Sequence, residues 1–449
     1  MLYCVCNKYM KGRCSGLKTV IVAGAGHGGL CAAIRLSQNG YRVTVLEQKA
    51  REHIGYDWHD VLHRSTFVNA HIPVPDDALF LPGEHMCYYS TAKRVKVVSP
   101  RLPGRNEVYM DRQALLDHLI DAAAEKGVTF LFGCRVLDAV CGEGRVLGVR
   151  YECGGETRTL RGDLVIDAAG VYSSVRQSLP ASFGVPRKLS QHDLFFAWRG
   201  YFAVRKPCRT DPPYSIYFFH CGTPGMDWVL TRDDHADVLV GGFGSLDAGT
   251  VEAHLADFRA DYPDMTDELL RGGSIECIPL GKTLPVFVCG GYAAVGNAAG
   301  MTEPLSGSGI DMSLRAGKML ADTVIAAGGN TDAEALWEYN RRYMQKVARS
   351  FYTDLLLRKF LMTLSASDID FLFDNRILTE KELGGKRSGY TAKQLLQKAN
   401  LMRRPALVRG IADMLRRMRM LDKMQSALPA RYAPAAVGKW AKKYEAVFG

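Results

Sequence analysis

Nowhere in the chain does an apolar run approach the roughly 18 residues that a membrane-spanning helix needs, which argues against a helical membrane protein. The opening stretch MLYCVCNKYMKGRC lacks both a continuous apolar segment and a small-residue cleavage site, and reads as a short tail instead of a signal peptide. The 12 cysteines include no C-x-x-C pair and no metal-ligand spacing. No metal is therefore expected, Cys4, Cys6 and Cys14 read as incidental, and reduced thiols in a cytoplasmic protein are the expected state. An excess of positive charge is also missing from most of the chain. From Gly384 to Gly449 there are 15 Lys or Arg against three Asp or Glu, whereas the whole chain holds 57 basic and 47 acidic residues. The basicity belongs to that last segment alone, and no nucleic-acid partner is expected.

What is present begins with TVIVAGAGHGGLCAAIRLSQNGYRVTVLE, Thr19 to Glu47. A short β-branched run, Val20 to Ala23, precedes Gly24-Ala25-Gly26-His27-Gly28-Gly29, which spells G-x-G-x-x-G, and a helical pattern through Leu30, Ala33 and Leu36 runs to Gly40. Each glycine has a mechanical reason. Gly24 permits the tight turn, Gly26 lets backbone approach a pyrophosphate, and Gly29 allows close packing of helix on strand. The helix N-terminus supplies free N–H groups and a partial positive charge to the phosphates. Glu47 closes the second strand, where a carboxylate can accept from the hydroxyls of an adenosine ribose and disfavours a 2′-phosphate. The motif predicts a bound dinucleotide.

At 449 residues the chain exceeds what one core usually serves, so two or more domains are expected. A polar loop after Glu47 carries Asp57, Trp58, His59 and His63 on the cleft side, and residues 65–105 read as short strands of a second domain. Arg112 to Lys126 reads as an amphipathic helix stopped by Gly127, followed by strands, a hairpin around Gly154 and Gly155, and an apolar strand ending at Asp167. Leu189 to Ile278 reads as antiparallel strands with one helix from Val251 to Tyr262. YAAVGNAAGMTEPLSGSGIDMSLRAGK then returns to strand, glycine-rich turn and helix, and from Asp332 the pattern is almost wholly helical. The expected fold is α/β: a Rossmann-type domain over 19–188 and 279–330, an inserted antiparallel β-sheet domain over 189–278 to which 65–105 contribute, and a helical region over 331–449, basic from 384, with 1–18 as tail.

Taken in order, GAGHGGLCAAIRLSQNGYRVTVLE, the Arg112 helix, DLVIDAAGVYSSVR and AVGNAAGMTEPLSGSGIDMSLRAGK resemble the flavoprotein superfamily that contains aromatic hydroxylases and geranylgeranyl reductases. The third motif, with Pro304, Leu305, Gly307 and Gly309, is nearer to the reductase branch, and the resemblance covers roughly residues 19 to 350. It implies FAD, with Arg112 at the pyrophosphate, the Val136 backbone at the adenine and the turn Ser306 to Gly309 at the isoalloxazine; no residue stands out as an attachment point, so a non-covalent FAD is expected. Departures matter. Asn297 stands where the family has an aspartate, so an amide instead of a carboxylate faces the ribityl chain. Ala169 replaces the aspartate of the middle motif. Of the reductases' aromatic signature only Gly225 and Trp228 remain, and Gly55 to His59 replaces their cysteine-bearing loop. Trp228 is expected to line the substrate pocket.

The first functional expectation is an oxidoreductase that reduces or desaturates a C=C bond of an apolar, isoprenoid or lipid-like substrate by hydride exchange at flavin N5. His59, Asp57 and Glu303 are the candidate proton carriers. The electron donor is left open between NAD(P)H and a protein. The alternative is an FAD-dependent monooxygenase of an aromatic or polycyclic substrate; the absence of Trp-x-Trp-x-Ile argues against halogenation and Ala169 against direct NAD(P)H hydroxylation. A third reading is a flavin-bearing binding protein without turnover. The segment 407–428 has Leu407, Ile411, Met414, Leu415, Met418 and Leu421 on one helical face beside Arg409, Arg416, Arg419 and Lys423, which suggests docking on an anionic membrane surface.

Overall fold

The computed structural model describes residues 18–99, 107–379 and 399–448. The cysteines of the tail lie outside the described residues, as does all of 380–398. Six strands build the sheet that carries the cradle, in the order Val288–Cys289, Tyr292–Ala294, Leu164–Asp167, Thr19–Ala23, Arg42–Glu47 and Thr129–Phe132. All neighbours are parallel except the edge pair of the two shortest strands. Burial on both faces explains their unbroken apolar runs: Val22, Ala23, Leu164, Val165 and Ile166 are fully enclosed. The cradle helix His27–Gln38 packs against Ile310–Ala326 and Arg112–Ala124. Asp111 caps the last of these by accepting from Ala114 N at 3.1 Å, and Gly127, at φ 83°, ends it in the left-handed region as its position suggested.

A seven-stranded sheet stands beyond it, in the order 265–279, 194–204, 235–243, 226–231, 214–218, 86–89 and 96–98, antiparallel except where 214–218 meets 86–89. Period-two alternation gives it two apolar faces. Trp198, Phe202, Val229, Val238 and Val240 pack against the helix Ala248–Asp261, while Phe195, Ala197, Ile216, Trp228 and Leu239 face the other way, toward the cradle. The helices Ala333–Lys346, Tyr352–Leu361, Ala366–Asp374, Pro405–Ser426 and Pro434–Phe448 complete the molecule.

Three expectations need correction. His59–His63 is a strand, paired antiparallel with Glu107–Asp111, and Ser65–Ala70 is a helix; both follow polar loops too short on apolar residues to show a period. The thiols are not all reduced: Cys134 and Cys153 face each other across neighbouring strands, Cα atoms 4.5 Å apart, and are joined as a disulfide. The apolar face of 407–428 is not free for a membrane. Leu407, Ile411, Met414 and Leu421 are buried, and the helix packs on Tyr352–Leu361 and Pro434–Phe448. No helix among the described residues is long and apolar enough to cross a membrane.

Candidate functional site

One cavity of about 1900 Å³ runs from the glycine turn to the seven-stranded sheet and on to the C-terminal helices. It exceeds the roughly 300–1,000 Å³ of a site for one small ligand. At the near end stand Gly24, Ala25, Gly26 and His27. A Cβ on Gly24 would lie 2.8 Å from the Ala168 carbonyl oxygen, and one on Gly26 2.9 Å from the same atom, so the two glycines let the turn sit directly on the end of the neighbouring strand. Gly29 faces away from the cavity; its Cβ would meet Val22 and Ala168 side chains at 2.7 Å, which is the close helix-to-strand packing expected of it. Gly28, to which no role was given, does similar work on another side. A Cβ there would come 2.7 Å from Ser313 O, and one on Gly317 2.1 Å from Gly28 O, so the two cofactor-motif helices cross backbone to backbone.

Glu47 is buried and braces the turn, accepting from Ala25 N at 2.8 Å and Lys49 N at 2.9 Å. Arg112 lines the cavity, but its guanidinium is bound to Asp60, Nε to Oδ2 at 2.6 Å, with Tyr56 and Trp58 stacked on it. The Val136 carbonyl accepts from Ser174 Oγ at 2.7 Å beside the same wall. Asn297 Oδ1 accepts from Thr302 Oγ1 at 3.0 Å. Pro304, Gly307 and Gly309 line the cavity where the helix Ile310–Ala326 opens, and Gly307 takes φ 75°. Glu303 braces this turn: its carboxylate accepts from Leu305 N at 3.0 Å and from Ser306 N at 2.5 Å. The buried acid Asp167, two residues before Ala169, does not replace the missing aspartate. It is turned inward to Ser173, Tyr292 and Ala169 N, and burial pushes its carboxyl up.

These residues fit a flavin dinucleotide, and His27 adds an observation to that fit. Its Nε2 is buried without a hydrogen-bond partner, and burial together with the Arg112 guanidinium pushes the imidazole down to about 4. With its proton on Nε2, the neutral ring at the first residue of the cradle helix would donate to a phosphate oxygen. The sequence marked this position only as the variable residue of the motif.

Farther in, Trp228 lines the cavity with Phe195, Tyr214, Ile216, Leu239 and Leu280. Beneath it Arg199 makes a bidentate pair with the buried Asp237, Nε to Oδ1 at 2.8 Å and Nη2 to Oδ2 at 2.5 Å, and its guanidinium lies 4.7 Å from the Trp228 ring centre. Arg199 also donates to His59 O, and the His59 backbone N donates to Tyr201 Oη at 2.9 Å. His59 lines the cavity and its ring Nδ1 meets the same Oη at 3.2 Å; burial and then Arg271 push this imidazole down. Asp57, expected beside it, is exposed and off the cavity. Its carboxylate is bound to Arg271 Nε at 2.9 Å and Gly272 N at 3.0 Å, which draws it away from the cavity. Leu357, Leu361, Ile369 and Met414 wall the far end.

Two families described as FAD dependent oxidoreductase match the chain, one over residues 102–323 and one over 19–171. A digeranylgeranylglycerophospholipid reductase of Sulfolobus acidocaldarius is 20% identical, covering 95% of this chain and 96% of that protein. Its counterpart in Methanothrix thermoacetophila is 26% identical, over 79% and 90%. A geranylgeranyl bacteriochlorophyll reductase-like structure from Thermoplasma acidophilum has a TM-score of 0.72 at 19% identity, covering 89% of this chain and 100% of that one. The myxobacterial chondrochloren halogenase gives a TM-score of 0.60 at 19% identity, over 89% and 96%. With the two glycine turns and the two sheets already described, these likenesses mark the chain as an FAD-dependent oxidoreductase that is similar to the aromatic hydroxylase and geranylgeranyl reductase superfamily, nearer to the geranylgeranyl reductase branch.

Proposed function

We propose that the protein reduces or desaturates a C=C bond of an apolar, isoprenoid or lipid-like substrate. The observation that carries this reading is the apolar face of the seven-stranded sheet, which opens into the same cavity as the flavin turn. FAD, held by Gly24, Gly26, His27, Asn297 and the turn Pro304 to Gly309, would supply hydride exchange at N5. Phe195, Ile216, Trp228, Leu239 and Leu280 bind the apolar chain and exclude water from it. The Arg199–Asp237 pair keeps the indole of Trp228 in place from below.

His59 is the proton carrier in this reading. Tyr201 Oη accepts from the His59 backbone N–H and lies 3.2 Å from Nδ1; with the phenol donating to Nδ1, the ring proton sits on Nε2. Tyr201 is held in its protonated form by burial and by Asp237, and so fixes the His59 ring as a steady hydrogen-bond partner. Asp57 lies out of reach for this role, and Glu303 serves as a brace of the flavin turn.

The relatives named as digeranylgeranylglycerophospholipid reductases support a lipid bearing polyprenyl chains as the first substrate to try. Under strict anaerobiosis, the chemically reduced protein mixed with such a lipid is expected to regain its flavin absorbance as the lipid gains two mass units per double bond. A product that forms only with oxygen would overturn the reading in favour of the monooxygenase, which the halogenase-like fold supports.

We also propose electrostatic recruitment to an anionic membrane surface. Arg409, Arg416, Arg419 and Lys423 on one helix and Lys439, Lys442 and Lys443 on the next remain exposed although the apolar faces between them are buried.

A further inference from the structure

Behind the seven-stranded sheet, on the face away from the cavity, a second polar centre is buried. The turn His220–Gly222 and the helix Ala248–Asp261 meet there. His220, His254 and Asp227 are each about 2% exposed or less. Asp227 Oδ2 receives both imidazoles, His220 Nδ1 at 2.7 Å and His254 Nδ1 at 2.5 Å, while Oδ1 accepts from Gly241 N at 2.9 Å. One carboxylate thus fixes two histidines in the same tautomer and leaves both Nε2 atoms as acceptors. That is the arrangement of a metal-binding histidine, whose other nitrogen donates to an orienting carboxylate.

The acceptors converge. His220, Cys221 and His254 each offer a ligand atom within 4.8 Å of the other two. Cys221 Sγ lies 3.7 Å from His220 Nε2, close to the ligand-to-ligand edge that Zn–S of about 2.3 Å and Zn–N of about 2.0–2.1 Å give in a tetrahedron. Asp257 Oδ2 stands 2.7 Å from His220 Nε2, a hydrogen-bond distance, so a proton bridges the pair when no metal is bound. The surrounding charge favours a dication: Asp227, Asp257 and Asp261 are balanced by one ammonium, Lys93, which pairs with Asp257 and Asp261. Thr223 Oγ1, 3.0 Å from His254 Nε2, is the group a metal would displace. Phe219 and Cys221 both hold the left-handed backbone at φ 51° and 50°, a conformation non-glycine residues adopt only when something local demands it.

We propose that His220 Nε2, Cys221 Sγ and His254 Nε2 hold a zinc ion, whose fourth position is left to a water on the side of the exposed Cys221, with Asp227 as the orienting carboxylate. Binding would release the Cys221 proton to solvent and leave a thiolate on the metal. The site would clamp the helix Ala248–Asp261 to the β-turn behind Trp228, so it is structural in kind, with no coordination position aimed at the cavity.

The test uses the full-length, flavin-loaded protein, equilibrated with zinc sulfate and dialysed against metal-free buffer. One zinc per chain is expected to remain, with one sulfur neighbour in the zinc-edge X-ray absorption. Cys221→Ser should remove that sulfur, and Asp227→Asn should weaken affinity about 10- to 100-fold. Flavin absorbance reports whether each variant is folded. No retained zinc in the unaltered protein would overturn the proposal and leave a proton bridging His220 and Asp257. Equal retention by His254→Gln would also overturn it, by locating the metal elsewhere.

Discussion

Gly26 and His27 are adjacent and fail in different ways when changed. A Cβ at Gly26 would press on the Ala168 carbonyl 2.9 Å away, so Gly26→Val distorts the turn itself as well as the pyrophosphate space. That variant is expected to fold with little or no flavin, read as the ratio of 450 to 280 nm absorbance; a full complement would refute the cradle. His27 acts through charge. Its folded value of about 4 lies below the ordinary 6.5, so between those pH values the unfolded chain takes up a proton that the folded chain refuses. Stability of the flavin-free protein is therefore whole above pH 6.5 and falls as the pH drops toward 4, by roughly 3 kcal/mol at most. His27→Asn is expected to flatten this acid limb in urea denaturation while leaving the midpoint at pH 8 nearly unchanged. An unchanged limb would assign the acid sensitivity to other groups.

Among elements, the helix Pro405–Ser426 shows how far one face can be misjudged. Its apolar stripe is real, but it covers Tyr352–Leu361 and gives Met414 to the cavity wall. Only the basic stripe is left for a membrane, where each Lys or Arg contributes about 1 kcal/mol and salt screens it. Sedimentation with vesicles should thus give binding to anionic lipid at low salt, lost at high salt and in a variant with Arg409, Arg419 and Lys423 changed to Gln. Binding that survives high salt would require an apolar contact the helix does not have free. The cradle helix is the opposite case. Its boundaries were legible from Gly26 to Gly40, yet the need for Gly28 was not, because the backbone it meets belongs to a helix some 285 residues later.

At the scale of the whole molecule, one cavity is walled by three regions: the cradle sheet, the apolar face of the second sheet and the C-terminal helices. Its length should set which substrates fit. Leu361 lies half-buried at the far end, so Leu361→Trp shortens the space without touching the glycine turn or the flavin turn. KM for a long polyprenyl substrate is expected to rise roughly tenfold or more, the scale of 1.4 kcal/mol, while a short-chain analogue keeps its KM. Equal effects on both would mean that the chain enters elsewhere.

Local chemistry determined a good deal of this from the sequence. Strand, glycine turn, helix and acid follow one another within Thr19–Glu47, and the steric demands of a tight turn under a helix N-terminus can be met only by residues without side chains. The run of strand-like segments from Leu189 to Ile278 likewise announced the second sheet, and the Arg112 helix stopped where Gly127 allows. Tertiary structure alone decided the pairings between distant residues. It turned Asp57 outward to Arg271, gave Arg112 to Asp60, joined Cys134 to Cys153, and brought His220 and His254 onto one carboxylate. Charge, thiol and imidazole carry no period, so where such side chains meet depends on which strands and helices become neighbours, and that is fixed by the burial of the apolar faces around them.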